Sequence, residues 1–504
     1  MELLNNLALG FHVALSFQNI AFCFIGCLLG TLIGVLPGVG PITGIALLIP
    51  ITFGMDPTTA LITMCGVYYG AMYGGSTTSI LLNVPGESSS VMTCIDGYEM
   101  AKKGQAAKAL GIAAIGSFIA GTFAVIMLNL VAEPLADLAV RFGAPEYFAL
   151  TVLALMLLVS LGEKSIRKSL ISASIGLFVA MIGADTFTNT YRYTFGSIQL
   201  VDGVNMVGLL VGLYAISEVL QNIEDPEPRV FFQGKMKFRD MFPNREEWKR
   251  CKPVIARSSL VGFLVGMLPG AGATMSTFIS YSMEKKLSKE PERFGSGSIE
   301  AVAAPETANN ASTGGGLITM LALGIPGGGS TAVMLGALMV HGMRPGPLLF
   351  DTQPEFVWGF IASMYIGNVI LILLNMPLIG MWVSLLRIPY KILMPGIIAL
   401  SAIGVLATDN SIVDVWVMIF FGILGYLMKK VNFPLVPLAF GFIIGPLCEK
   451  SLRQSLTMSK GSFSIFFTRP ASAILLAVAI CSVLAPLFIN LWKKHKAESA
   501  MEKL

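Results

Sequence analysis

The chain has 504 residues, 54% hydrophobic and only 13% charged, with a mean hydropathy of +0.74. A soluble domain carries roughly 25% charged residues, so the composition excludes an ordinary soluble fold, and a net charge of +4 offers no basic face for nucleic acid. Apolar runs of membrane-spanning length recur along the chain; they are apolar all round rather than alternating, which argues against a β-barrel.

Met1-Glu-Leu-Leu-Asn-Asn lacks the basic region of a signal peptide. The first long apolar stretch is interrupted at Gly34-Val-Leu-Pro37-Gly38-Val-Gly40, and Cys23 and Cys27 share a helix face there, a packing arrangement. Next come Gly74-Gly75-Ser76-Thr77 and Asn83-Val-Pro85-Gly86-Glu87-Ser88. Asp96 and Glu99 read as solvated residues at a membrane edge. Four apolar helices follow to residue 220, then a linker, 221–257, with nine basic and six acidic residues.

The pattern then returns as Gly266-Met-Leu-Pro269-Gly270-Ala-Gly272-Ala-Thr274, Asn309-Asn310, Thr313-Gly314-Gly315-Gly316 and Gly324-Ile-Pro326-Gly327-Gly328-Gly329-Ser330. Pro37 and Pro269 are 232 residues apart, Pro85 and Pro326 are 241 apart, and Gly121 and Gly367 are 246 apart, as are Asn129 and Asn375. Offsets that hold across several segments point to two homologous halves, 1–220 and 258–447. Residues 448–504 hold a loop, an extra helix and a basic tail.

Loop charge orients the halves. The loop 163–168 is net +2, its counterpart 409–414 net −2. The sequence therefore predicts an all-α membrane protein of two inverted repeats, with the N-terminus outside and the C-terminus inside. Hairpins at about 12–54 and 258–283 enter and return. Residues 57–95 and 297–343 each cross once, broken at their Gly-rich stretches. The count is eleven crossings plus two hairpins. The loop 449–469 is net +3 where the scheme places it outside.

Duplicated, Gly/Pro-broken apolar segments mark the substrate site of secondary transporters. Helix N-termini there offer N–H donors and about half a positive charge to an anion, while freed carbonyls suit a sodium ion. The candidate substrate-binding residues are Pro37, Gly38, Gly40, Gly74, Gly75, Ser76, Thr77, Pro85, Gly86, Ser88, Pro269, Gly270, Gly272, Thr274, Asn309, Asn310, Thr313, Gly314, Pro326, Gly327, Gly328 and Ser330. Ser76, Asn83, Glu87, Glu306 and Asn310 are the ion-coupling candidates, because carboxylates inside a membrane segment are costly and usually functional. Small residues in close helix packing are the competing explanation. No Walker A lysine motif, GxSxG elbow or CxxC is present, so no enzymatic activity, cofactor or metal other than sodium is expected.

These motifs, above all Gly34-Val-Leu-Pro-Gly-Val-Gly-Pro41, Tyr69-Gly-Ala-Met-Tyr-Gly-Gly-Ser76, Asn83-Val-Pro-Gly-Glu87, Ala303-Ala-Pro-Glu-Thr-Ala-Asn-Asn310 and Leu323-Gly-Ile-Pro-Gly327-Gly328, resemble the large membrane subunit of the tripartite tricarboxylate transporters, the TctA family. The resemblance implies uptake of tricarboxylates or related carboxylates across a bacterial inner membrane by cation symport, commonly with sodium. It also implies two partners, a small membrane subunit and a periplasmic solute-binding protein. The two inverted halves look like elevator-type ion transporters. Pairing of two copies stays open, as do two rival readings, a passive anion channel and a non-transporting scaffold subunit.

Overall fold

The computed structural model describes residues 2–36, 40–161, 165–224, 238–385 and 390–484. The chain is overwhelmingly α-helical. The longer helices among the described residues, in order, are α1 (Glu2–Ala14), α2 (Phe17–Val35), α3 (Gly40–Thr52), α4 (Pro57–Leu82), α5 (Val91–Lys102), α6 (Ala106–Val140), α7 (Ala144–Leu161), α8 (Ile166–Val179), α9 (Met206–Glu224, with a π-helical turn at Gly212–Ile216), α10 (Arg245–Gly266), α11 (Gly272–Leu287), α12 (Ile299–Leu323), α13 (Gly329–Val340), α14 (Pro354–Asn375), α15 (Tyr390–Asp409), α16 (Ile412–Lys430), α17 (Val436–Met458) and α18 (Pro470–Leu484). A two-stranded hairpin, Gly183–Ala184 with Tyr191–Arg192, is a small departure from an all-α fold.

Local signals set the helix ends. Ser16 and Asp56 accept from the N–H groups of Asn19 and Thr59, and Pro57 occupies the first turn of α4, where its missing N–H costs nothing. Asn244 and Glu247 form a capping box that starts α10 inside the stretch expected as linker.

Among the described residues, five helices are long and apolar enough to cross a membrane by length and composition: Phe17–Val35, Ala106–Val140, Met206–Glu224, Pro354–Asn375 and Ile412–Lys430. Shorter apolar helices lie among them. Large apolar side chains face outward, such as Ile126, Leu373, Ile403, Trp416 and Phe420. In lipid these exposed faces cost nothing, and helices associate by close packing instead of by hydrophobic burial.

That packing repeats itself. A Cβ on Gly34 would lie 2.2 Å from the Ala71 carbonyl oxygen, and one on Gly266 would lie 2.4 Å from that of Ser312. One on Gly74 would lie 2.3 Å from the Thr31 oxygen, and one on Gly315 would lie 2.3 Å from that of Phe263. Thus α2 presses on α4 as α10 presses on α12, backbone to backbone.

This corrects the sequence reading at one point. Gly74-Gly75 and Gly314–Gly316 do not break their segments, because α4 and α12 run through them. Glycine costs about 1 kcal/mol in a helix interior in water; here the small residue admits the neighbouring backbone. The breaks come later. Asn83 (φ 59°) ends α4 and Gly324 (φ 69°) ends α12, both left-handed, and Pro85-Gly86 and Pro326-Gly327 follow. Proline cannot continue either helix.

Candidate functional site

The helix ends at the two breaks approach the starts of α3 and α11. The first break meets the start of α3, where Gly40 approaches the Gly86 carbonyl at 3.9 Å measured from the Cβ position. It meets α11 through Ser88, whose Oγ lies 2.9 Å from Thr274 Oγ1. The second break mirrors this. Gly270 N–H donates to the Gly327 carbonyl at 2.8 Å, and a Cβ on Gly329 would touch Ile42 of α3 at 2.6 Å.

The two breaks are capped alike. Glu87 N–H donates to Ser90 Oγ (3.3 Å), whose hydroxyl donates back to the Glu87 carbonyl (2.9 Å). Gly328 N–H donates to Thr331 Oγ1 (2.9 Å), which returns the bond to the Gly328 carbonyl (2.9 Å). Each bond holds the first turn of α5 or α13 against the incoming strand-like segment.

Two carboxylates sit beside these ends. Glu87 Oε1 accepts from Ser89 Oγ at 2.5 Å and from Asn309 Nδ2 at 3.1 Å. Glu306, 1% exposed on α12, accepts from Ser76 Oγ of α4 at 2.5 Å and from the Thr93 hydroxyl of α5. Its backbone carbonyl accepts from Ser117 Oγ of α6 (3.4 Å), and Ser117 accepts from Asn310 Nδ2 (2.6 Å). Neither carboxylate takes part in an ion pair among the described residues. Hydroxyl and amide donors therefore offset part of the cost of a buried negative charge and leave the charge itself in place.

The sequence candidates divide accordingly. Gly40, Pro85, Gly86, Ser88, Gly270, Gly272, Thr274, Pro326, Gly327, Gly328 and Ser330 lie at the converging ends. Ser76, Thr77, Asn309, Asn310, Thr313 and Gly314 are buried within α4 and α12, with Gly74 and Gly75 as packing positions. Thr313 Oγ1 is spent on the Asn310 carbonyl. Asn83 serves the backbone: it is the left-handed residue that ends α4. Pro37 and Gly38 lie outside the described residues; Pro269 is buried at the α10–α11 turn.

Sequence reasoning missed Thr93 and Ser117, because nothing in the chain order announces a contact across some 200 residues. It also misread Asp96. Far from solvated, Asp96 is 0% exposed and accepts from Tyr281 Oη (2.8 Å) and from the N–H groups of Gly295 (2.9 Å), Gly297 (2.8 Å) and Ser298 (2.9 Å). It caps α12 from another helix. Glu99, by contrast, is partly exposed and pairs with Lys102 at 2.5 Å.

An apolar helical body with converging helix ends and buried hydroxyls and carboxylates at its centre defines a membrane-embedded protein with an interior polar site. Comparison with known proteins is more specific. The family model described as "Tripartite tricarboxylate transporter TctA family" matches residues 20–440, and the chain belongs to this family, a family of transporters and not of enzymes. It is 46% identical over 495 residues to an "Uncharacterized 52.8 kDa protein in TAR-I ttuC' 3'region" of Agrobacterium vitis, covering 98% of each chain. It is also 46% identical over 234 residues to an "Uncharacterized protein in TAR-II ttuC' 3'region" of the same organism, which covers 46% of this chain and 97% of the relative. No solved structure matches it.

Proposed function

We propose that the protein is the translocation subunit of a secondary transporter that imports tricarboxylates or related carboxylates by cation symport. Family membership supports the substrate class. One observation carries the mechanism: each helix break touches both hairpins, through Ser88–Thr274 on one side and Gly329–Ile42 on the other. Helix N-termini at α3, α5, α11 and α13 then surround one place, where their N–H groups and partial positive charge suit carboxylate oxygens. Ser88, Thr274 and Ser330 add hydroxyl donors.

Cation binding falls to the carboxylate side, with Glu306, Ser76 and Glu87 as ligands and sodium as the ion. The matched backbone approaches of the two halves support an inverted duplication whose halves alternate access around this fixed site, in the manner of elevator-type transporters. The partners in this reading are a small membrane subunit and a periplasmic solute-binding protein, in a bacterial inner membrane, with the N-terminus on the periplasmic side.

The test is uptake by reconstituted membrane subunits plus binding protein, across a carboxylate panel, with and without a sodium gradient. Saturable, gradient-dependent uptake of at least one tricarboxylate is expected. Absence of saturable uptake of every carboxylate would overturn the reading.

A further inference from the structure

The two halves share their scaffold, and they do not share their acids. With the offsets of 241 and 246, Glu306 corresponds to Cys65, Asn310 to Tyr69, Ser117 to Ser363, Ser76 to Leu317 and Thr93 to Met334. The contact geometry keeps the correspondence, since Gly34 meets Ala71 as Gly266 meets Ser312. A cavity of about 10 Å³ lies near each position. One reaches Ser76, the hydrogen-bond partner of Glu306, without touching Glu306 itself, and has Ser117, Tyr73 and Asn375 on its polar side and Leu110, Ala113, Ala114 and Ile379 on its apolar side. The other is lined by Cys23, Cys27, Cys65, Tyr69 and Ser363. Each has room for one water-sized occupant.

The chambers differ in chemistry. In the first, the Ser76 hydroxyl donates its hydrogen bond to Glu306 Oε2, which leaves its oxygen lone pairs free to accept. Asn375, 5% exposed, lines the same chamber, and its Oδ1 has no hydrogen-bond partner. Asn310 Oδ1, buried beside Glu306, has none either. Acceptor oxygens without donors, next to a buried carboxylate without a counter-charge, call for a positive charge. The second chamber holds thiols in place of the acid; the Cys23 and Cys27 Sγ atoms lie 3.8 and 3.7 Å from the Ser363 and Gly367 carbonyls.

We propose that Glu306, with Ser76 and the chamber that Ser76 borders, is a site for one monovalent cation, arriving as Na⁺ or as a proton, and that the matching position at Cys65 holds none. The chain thus uses one half of a duplicated scaffold to bind cation. This deepens the symport reading and rests on it for the purpose of the site, though not for the binding itself. Other titratable groups interact with Glu306: Tyr73 on the α4 side, Cys94 on α5 and Glu87 at the first break. From α6, Ser117 reaches the Glu306 backbone carbonyl and not its carboxylate.

Cation binding is measured directly on the full-length protein in detergent, without any carboxylate. The melting midpoint is followed as choline is replaced by Na⁺ at constant ionic strength, and separately across neutral pH. Wild type is expected to respond to Na⁺, to pH, or to both, and the response identifies the ion. Glu306→Gln should abolish that response, Ser76→Ala should weaken it by roughly tenfold in apparent affinity, about 1.4 kcal/mol, and Cys65→Ser should keep it. Glu87→Gln, run in parallel, separates its titration from that of Glu306. A wild type that responds to neither ion, or a Ser76→Ala or Glu306→Gln variant that responds as wild type does, overturns the proposal. If binding is seen but no carboxylate is taken up, the transport reading fails and the site stands.

Discussion

A Cβ placed on Gly86 would lie 2.5 Å from the Cα of Gly75, and Gly327 stands in the same relation to Gly316 at 2.6 Å. At each break the chain leaving the helix folds back against a glycine inside that same helix. The contact positions Pro85 and Pro326, and with them the starts of α5 and α13.

Gly86→Ala and Gly327→Ala should therefore displace backbone against backbone, at a cost of about 1–3 kcal/mol. The expected result is a lowered melting midpoint in detergent and impaired uptake for both. Gly380→Ala is the control. Nothing lies within 4 Å of its Cβ position, and its effect on stability should stay within about 1 kcal/mol.

Asp96 joins α5 to the start of α12. Asp96→Ala would strip the N–H groups of Gly295, Gly297 and Ser298 of their buried acceptor. Each unsatisfied donor costs about 1–3 kcal/mol, so the variant should lose several degrees of melting midpoint. Asp96→Asn keeps one acceptor oxygen and should fall between it and wild type in the same measurement.

Asn83 tests the division between backbone and side chain. It sits at φ 59°, and its counterpart Gly324 sits at φ 69°. Asn83→Gly should keep full stability and full cation dependence of uptake. Asn83→Val forces a β-branched residue into the left-handed region and should cost about 1–2 kcal/mol by thermal melting.

The loop carrying the small β-hairpin is tied by charge. Asp185 accepts from Arg453 at 2.5 Å and from the N–H groups of Phe187 and Thr188. The Arg453 bond comes first among the causes that hold its carboxyl below the ordinary range. A depressed carboxylate stabilises the fold above its unfolded pKa, about 3.9, and that contribution fades as pH falls below it. Melting midpoints taken from neutral pH down to about 3 should drop more steeply in wild type than in Asp185→Asn.

Much of this molecule can be read directly in the chain. A membrane-embedded helical body follows from runs that are apolar all round, because helices satisfy their own backbone in lipid and a barrel would need alternating residues. The helix breaks at Pro85-Gly86 and Pro326-Gly327 follow from local chemistry, since proline lacks the N–H that the next turn needs. The matching offsets 232, 241 and 246 were also visible in the sequence.

Tertiary structure decided what the polar residues do. Gly74-Gly75 and Gly314–Gly316 look like breaks in one dimension and prove to be seams where one helix backbone lies on another. Asp96 looks like an edge residue and proves to be a buried cap, because its donors come from residues about 200 positions away. Glu306 stands out in the sequence as an ion-coupling candidate, but only folding brought Ser76 and Thr93 to its carboxylate and Ser117 to its backbone carbonyl, from three other helices. Helix formation and helix breaking depend on neighbours within a turn, and the sequence determines them. A buried charge is satisfied by whichever groups the fold brings within 3 Å, and only the packed chain decides which those are.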